Sequence, residues 1–143
     1  MDEKIFQDAP FIALVHNISK NQLRYLNSQL QDSDLGHEAR YVMAIYSNPD
    51  CSQDDLVNVY GESKSNVSKS LRKLENNQFI KREVNLENRR KYKLKTTPKG
   101  DRLALKIREI SRNWEREVQI ENNEEITEKL RLIAEKSKKI IDN

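Results

Sequence analysis

The sequence predicts a mainly α-helical protein with one small β-hairpin, and three observations support this fold class. Apolar residues recur every three or four positions over most of the chain, as along one face of a helix. Only two short segments alternate apolar and charged residues, as strands do. Three glycines and three prolines among 143 residues favour long regular elements with few loops. A chain of this length forms one compact domain, with or without helical extensions.

Composition excludes several classes of protein. No apolar run approaches the roughly 20 residues that a membrane-spanning helix needs. The acidic N-terminus lacks the basic-then-apolar order of a signal peptide, and the single cysteine, Cys51, excludes an internal disulfide. The sequence shows no glycine-rich phosphate loop, metal-ligand spacing or nucleophile–base pair. We therefore expect a cytoplasmic protein with no membrane partner, enzyme activity, metal or cofactor.

The N-terminal third predicts two helices. The first extends over 10–30, where Pro10 suits the first turn and the apolar residues follow a helical spacing. A polar break ending in Gly36 separates it from a second helix over 37–47, with Tyr41 and Ile45 facing inward. Asn48, followed by proline and aspartate, ends the second helix.

The next two helices have the spacing of a helix-turn-helix. The Ser52 hydroxyl can cap the third helix, and Asp55 lies where its carboxylate can reach back in a capping box. Gly61 ends this helix because it permits a left-handed backbone, and Ser63 can cap the fourth helix a few residues later. Two helices joined by a short turn with glycine form this motif.

The fourth helix has an apolar side and a polar side. Val67, Leu71 and Leu74 form its buried stripe. The side chains that point away from that stripe are Ser65, Asn66, Ser68, Lys69, Arg72 and Lys73. Hydroxyl, amide and ammonium groups of this kind hydrogen-bond base edges and phosphates in a DNA major groove.

A basic hairpin is predicted after the fourth helix. Segments 79–84 and 91–96 read as strands, and the polar loop between them carries Arg89 and Arg90 near its tip. Segment 62–95 has eleven Lys/Arg and four Glu, which gives it a net charge of +7. Since the whole chain has a net charge of +3, the remainder has a net charge of −4. A basic segment in an otherwise acidic chain predicts one positive side of the molecule.

Two further helices complete the predicted fold. Thr97 and Pro98 suit the start of a fifth helix, and the last helix follows the sequence ENNEE. The fifth helix has an apolar seam that a partner helix could fill. Its members are Leu103, Ile107, Ile110, Trp114 and Val118. The last helix gathers Ile126, Leu130, Ile133, Ile140 and Ile141 on one face.

Over 35–100 the chain resembles the MarR family of winged-helix transcription regulators. The matching stretches are Ser52-Gln53 with Leu56, SKSNVS from Ser63, Leu74-Glu75, NLENRR from Asn85, and TPKG from Thr97. The resemblance implies a winged helix-turn-helix domain over 35–100, an N-terminal dimerisation helix within 1–34 and C-terminal dimerisation helices within 101–143. It also implies an obligate homodimer whose first and last two helices intertwine.

The function implied by this resemblance is sequence-specific binding of double-stranded DNA at a pseudo-palindromic operator, as a ligand-responsive repressor. The fourth helix would enter the major groove and a wing arginine the adjacent minor groove. The expected DNA-binding residues are Ser63, Lys64, Ser65, Asn66, Ser68, Lys69, Arg72, Lys73, Arg89, Arg90 and Lys91. The alternative is a winged helix that serves as a protein-interaction module, with its basic face meeting an acidic partner.

Two regulatory hypotheses are weaker. Many members of the family bind small phenolic or anionic effectors, for which the candidates here are His16, Arg24, Tyr41 and Tyr46; ordinary packing is the alternative. Cys51 lies before a helix N-terminus that could lower its thiol pKa, and the corresponding hypothesis is oxidation sensing through this thiol. The redox-sensing branch of the family carries its cysteine in the first helix, and Cys51 does not match that position.

Three residues depart from the family pattern. Asn85 and Asn88 stand in the wing loop where acidic residues are usual, which predicts a less rigid wing. Gln78 stands where glycine usually follows the recognition helix, and we expect Asn77 to take the left-handed conformation instead.

Overall fold

A computed structural model describes residues 7–30 and 35–142 of the chain and confirms the predicted fold class, helices with one two-stranded antiparallel sheet. The elements in chain order are α1 (Phe11–Gln29), α2 (Ala39–Ser47), α3 (Gln53–Tyr60), α4 (Lys64–Asn76), β1 (Ile80–Val84), β2 (Tyr92–Thr96), α5 (Pro98–Glu117) and α6 (Glu124–Asp142). Among these residues no helix has the length and apolar character needed to cross a bilayer.

The backbone divides into two compact units, Met1–Ser111 and Arg112–Asn143. The first unit contains the hydrophobic core, in which the predicted stripe of α4 is fully buried. Tyr41 and Ile45 of α2 lie in the same core, as predicted. The core also takes in Leu94 of β2 and Leu103, Ala104, Ile107 and Ile110 of α5. The packing of α2, α4, β2 and α5 thus leaves the opposite face of α4 open to solvent.

The predicted caps form the helix-turn-helix. The Ser52 hydroxyl accepts a hydrogen bond from the Asp55 amide at 3.2 Å, and the Asp55 carboxylate accepts from the Ser52 amide at 2.8 Å. Gly61 is left-handed, with φ of 63°. The Ser63 hydroxyl accepts from the Asn66 amide at 3.1 Å and so begins α4. Local sequence therefore fixes where α3 ends and α4 begins.

The hairpin pairs Ile80 with Thr96 and Val84 with Tyr92 in antiparallel register. Each strand starts one residue later than predicted. The segment before α3 pairs with β2 through an isolated β-bridge between Cys51 and Leu94. The Leu94 amide donates to the Cys51 carbonyl at 2.8 Å, and the Asp50 amide donates to the Leu94 carbonyl at 2.9 Å. These bonds attach the wing to the start of the helix-turn-helix.

The prediction for Asn77 is wrong. Asn77 has φ of −86°, and Gln78 is the left-handed residue, with φ of 63°. The Asn77 amide and side chain both donate to the Lys73 carbonyl, so residue 77 continues the helical turn. The Gln78 amide then bonds the Glu75 carbonyl and the Phe79 amide bonds the Leu74 carbonyl, both at 3.0 Å. This is the Schellman pattern, with a glutamine in the place that glycine prefers.

Candidate nucleic-acid interface

The polar face of α4 is presented to solvent as the sequence predicted. Ser63, Lys64, Ser65 and Asn66 are exposed around its N-terminus. Further along the helix, Lys69 and Arg72 are exposed, while Ser68 and Lys73 are half-buried. The structure therefore gathers all eight predicted residues of this helix and its cap on one accessible surface.

The middle of α4 is tied to the N-terminal end of α2. The Ser70 hydroxyl lies 3.3 Å from Nε2 of His37, and the Lys73 ammonium lies 3.5 Å from the Glu38 carboxylate. Burial acts to raise the pKa of Glu38, but bonds from its own amide and that of Gly36, together with Lys73, hold it below its ordinary value. Glu38 is thus a buried anion that restrains Lys73, one of the predicted DNA contacts.

A second tie, which the sequence did not predict, holds the start of α4. Arg40 of α2 forms an ion pair with Glu62, the residue before the α4 cap. The Tyr41 hydroxyl donates to the same carboxylate at 3.0 Å. No local pattern links these residues, because Arg40 and Glu62 lie far apart in the chain and meet only through the packing of α2 on α4.

The wing loop is ordered by its two asparagines. The Asn85 side-chain oxygen accepts from the amides of Glu87 at 3.0 Å and Asn88 at 3.3 Å. The Asn88 side-chain oxygen accepts from the Arg90 amide at 3.2 Å. An amide oxygen makes the same turn contacts that a carboxylate would. The predicted loss of rigidity is not supported by these contacts, and the difference that remains is one of charge.

Ion pairs divide the basic residues into two groups. Several cations are engaged by carboxylates: Arg82 with Glu75 at 2.7 Å, Lys95 with Glu83 at 3.0 Å, Lys81 with Glu83 at 3.4 Å and Lys91 with Asp54 at 3.8 Å. The basic residues of 62–95 that form no ion pair within the described part of the chain are Lys64, Lys69, Arg72, Arg89, Arg90 and Lys93. The uncompensated positive charge is therefore concentrated on α4 and in the wing.

The geometry of α3, α4 and the hairpin is that of a winged helix, and comparison with known proteins agrees. The model of the MarR family matches residues 37–92, which run from before α2 to the start of β2. Over these residues the chain is similar to the MarR family.

Similarity to individual proteins extends over most of the chain. The HTH-type transcriptional regulator BilQ of Clostridioides difficile (strain CD3) is 25% identical over 122 residues, which cover 85% of this chain and 82% of that protein. A crystal structure of MarR superposes with a TM-score of 0.82 at 24% identity, over 94% of this chain and 95% of the other. The S. aureus MepR–DNA complex gives a TM-score of 0.73 at 20% identity, over 92% and 99%. These two structures establish the fold.

The four effector candidates lie in different surroundings. His16 and Arg24 are exposed on α1. Tyr41 is fully buried, and Tyr46 is half-buried with the Arg108 guanidinium carbon 5.5 Å from its ring centroid. Both tyrosines therefore have packing contacts within the chain, whereas His16 and Arg24 are open to solvent.

The expectation of a lowered pKa at Cys51 is wrong. Burial raises the pKa of this thiol, and the nearby carboxylates of Asp55 and Asp50 raise it further, although a backbone hydrogen bond acts in the opposite sense. The thiol packs against the core, and Asp55, which forms the capping box of α3, also disfavours a thiolate. A thiol that is less acidic than usual is a poor oxidation sensor.

Proposed function

We propose that this protein is a sequence-specific regulator that binds double-stranded DNA in the cytoplasm as a homodimer, with α4 in the major groove and the wing tip in the minor groove. The observation that carries the proposal is the segregation of unpaired cations. Lys64, Lys69 and Arg72 lie on or beside the polar face of α4, and Arg89 and Arg90 lie in the wing loop.

Unpaired cations favour DNA because their charge is not already neutralised by the protein. Each one that meets a phosphate releases condensed counterions, which makes the affinity strongly dependent on salt. Lys64 and Lys93 are expected to contact phosphates, since an ammonium group positions a protein on DNA more often than it reads bases. Lys91 is expected to do so by exchanging its ion pair with Asp54 for a phosphate. Ser65, Asn66 and Lys69 have the groups that read base edges.

The homodimer is supported by apolar faces that each unit leaves uncovered. In the second unit, α6 buries none of its residues, and Leu130 and Ile133 remain 47% and 45% exposed. In the first unit, Phe11 and Ile18 of α1 are 55% and 54% exposed. Apolar surface of this extent on long helices indicates contact with another copy of the chain. A two-fold dimer would read a pseudo-palindromic operator with half-sites about one helical turn apart.

Repression and response to a small phenolic or anionic effector are further parts of the proposal, and the similarity to the MarR family supports them. His16 and Arg24 are accessible to an anion on α1. An effector of this class would release the protein from its operator. Unchanged DNA binding across a panel of phenols and aromatic carboxylates would contradict that part of the proposal.

The wing provides the direct test. Replacing Arg89 and Arg90 together by alanine is expected to weaken binding to all duplexes by about tenfold or more and to lower the salt dependence by about one for each lost phosphate contact. Fluorescence anisotropy over a range of salt concentrations measures both quantities. The charge-matched control is Arg102→Ala with Lys106→Ala, two exposed residues of α5. Equal affinity of the wing variant and the control would count against the proposal.

A further inference from the structure

The guanidinium of Arg40 packs against two aromatic rings, those of Tyr41 and Tyr60. Its central carbon lies 5.1 Å from the Tyr41 ring centroid and 5.0 Å from that of Tyr60. The two rings meet edge to face, with centroids 5.2 Å apart. The Tyr60 hydroxyl donates to the Arg40 carbonyl at 3.2 Å. This arrangement fixes the plane and the direction of the guanidinium.

The guanidinium is directed at Glu62. Arg40 forms an ion pair with this carboxylate, and the Tyr41 hydroxyl donates to it at 3.0 Å. The Glu62 carboxylate therefore interacts with two donors, Arg40 and Tyr41. The Nε atom of Arg40 is buried, and its N–H group forms no hydrogen bond with the described residues. The contacts are arranged to satisfy the carboxylate.

Glu62 occupies a sensitive position at the proposed interface. It directly precedes Ser63, the cap of α4, and lines one groove with Arg40, Asn66 and Lys69. A carboxylate at this end of a helix is favoured by the free backbone amides. It would also repel the phosphates of a bound duplex if its charge were not compensated.

We propose that Arg40 is a positioning residue for DNA binding, which acts through Glu62. It neutralises the Glu62 carboxylate at the DNA-facing end of α4 and, with Tyr41, fixes the turn from which α4 begins. This inference rests on the proposed DNA-binding function. It assigns a role in DNA binding to three residues that make no contact with DNA themselves: Arg40, Tyr41 and Glu62.

A double-mutant cycle tests the proposal. Arg40→Met is expected to weaken DNA binding by about tenfold, because it leaves the Glu62 carboxylate unpaired. Glu62→Gln alone should bind within about threefold of wild type, because it leaves no carboxylate at this position to repel the phosphates. Combining the two substitutions should restore affinity to within about threefold of wild type, with the wild-type salt dependence.

Other outcomes of the cycle overturn the proposal. If the double variant is as weak as Arg40→Met and its salt slope falls by about one, Arg40 contacts a phosphate directly. If Arg40→Met binds as wild type does, the ion pair has no role in binding. Thermal unfolding of each variant shows whether it is folded. If wild type binds no duplex, the failure belongs to the proposed function and not to the role of Arg40.

A second variant covers the case in which Arg40→Met does not fold. Tyr41→Phe keeps the buried ring and removes only the hydroxyl that donates to Glu62. It is expected to weaken binding by about threefold, and Glu62→Gln in the same chain should abolish that loss. A loss of affinity that persists in the Tyr41→Phe, Glu62→Gln chain would overturn the proposal.

Discussion

Gly100 shows how a single residue determines the approach of α5 to the hairpin. A Cβ at this position would lie 2.0 Å from the Phe79 carbonyl oxygen and 3.2 Å from Cβ of Thr96. The Phe79 carbonyl is fixed, because it accepts a hydrogen bond from the Thr97 amide at 3.0 Å. Thr97 also bonds the Gln78 carbonyl and caps α5 at the Gly100 amide. Thr97 of the TPKG motif is therefore explained by its hydrogen bonds, and Gly100 by the close approach of α5 to the hairpin.

Gly100→Ala is expected to destabilise the fold by roughly 3 kcal/mol, because the new methyl group must displace backbone atoms. Gly61→Ala is the matched control: a Cβ there meets open space, and only its left-handed φ of 63° is unfavourable. That strain costs about 1 kcal/mol. Chemical denaturation of both variants measures the two losses. Similar losses at the two positions would show that the close contact at Gly100 is relieved by movement of the chain.

At the scale of single residues, sequence reasoning succeeds where an effect is local and fails where it depends on neighbours distant in the chain. The caps of Ser52 and Ser63 follow from side chains within three residues and are confirmed. The pKa of Cys51 depends on burial, which a helix-start argument does not consider. Asn77 has the expected propensity, but its hydrogen bonds to Lys73 shift the left-handed residue onward to Gln78.

Among the elements, the wing departs from the family pattern in the charge of its loop, and hydrogen bonds nevertheless order that loop. Asn85 and Asn88 order the loop through side-chain oxygens, which leaves Arg89 and Arg90 without a carboxylate partner among the described residues. The wing tip therefore has an ordered backbone, and among the described residues no carboxylate neutralises its two arginines. Such a tip suits the negative potential of a narrow minor groove.

Two substitutions at Asn85 distinguish its effect on the order of the wing loop from its effect on the charge of the loop. Asn85→Ala should speed hydrogen exchange at the amides of Glu87 and Asn88 by about tenfold or more, because it removes their acceptor. Asn85→Asp should keep their protection and yet weaken DNA binding, because it introduces a carboxylate near the arginines. Amide exchange by NMR and DNA titration measure the two effects. Equal exchange in the two variants would show that the Asn85 oxygen does not order the loop.

The order and type of the elements were predictable because each has a periodic pattern or a cap within its own sequence. The ties between elements were not. The pairs Arg40–Glu62 and Glu38–Lys73 join residues that only tertiary packing brings together. These ties orient α4, so the elements of the candidate interface could be named from sequence while the contacts that hold α4 in place could not.

For the molecule as a whole, charge and apolar surface are distributed for two different partners. The unpaired cations lie on α4 and in the wing, whereas α1 and α6 leave apolar side chains exposed. The basic surface suits a nucleic acid, and the apolar side chains of α1 and those of α6 each suit contact with another copy of the chain. In a homodimer that binds DNA, the two symmetry-related copies of this basic surface would each contact one half-site.

Selection of bound duplexes from a random DNA library tests this account most directly. We expect an inverted repeat whose half-site centres lie about 10 base pairs apart, bound in a salt-sensitive manner. Asn66→Ala should change the preferred bases within each half-site and leave the spacing unchanged. Enrichment of no sequence, or of a single half-site without its inverted copy, would contradict a dimer that reads DNA with two copies of α4.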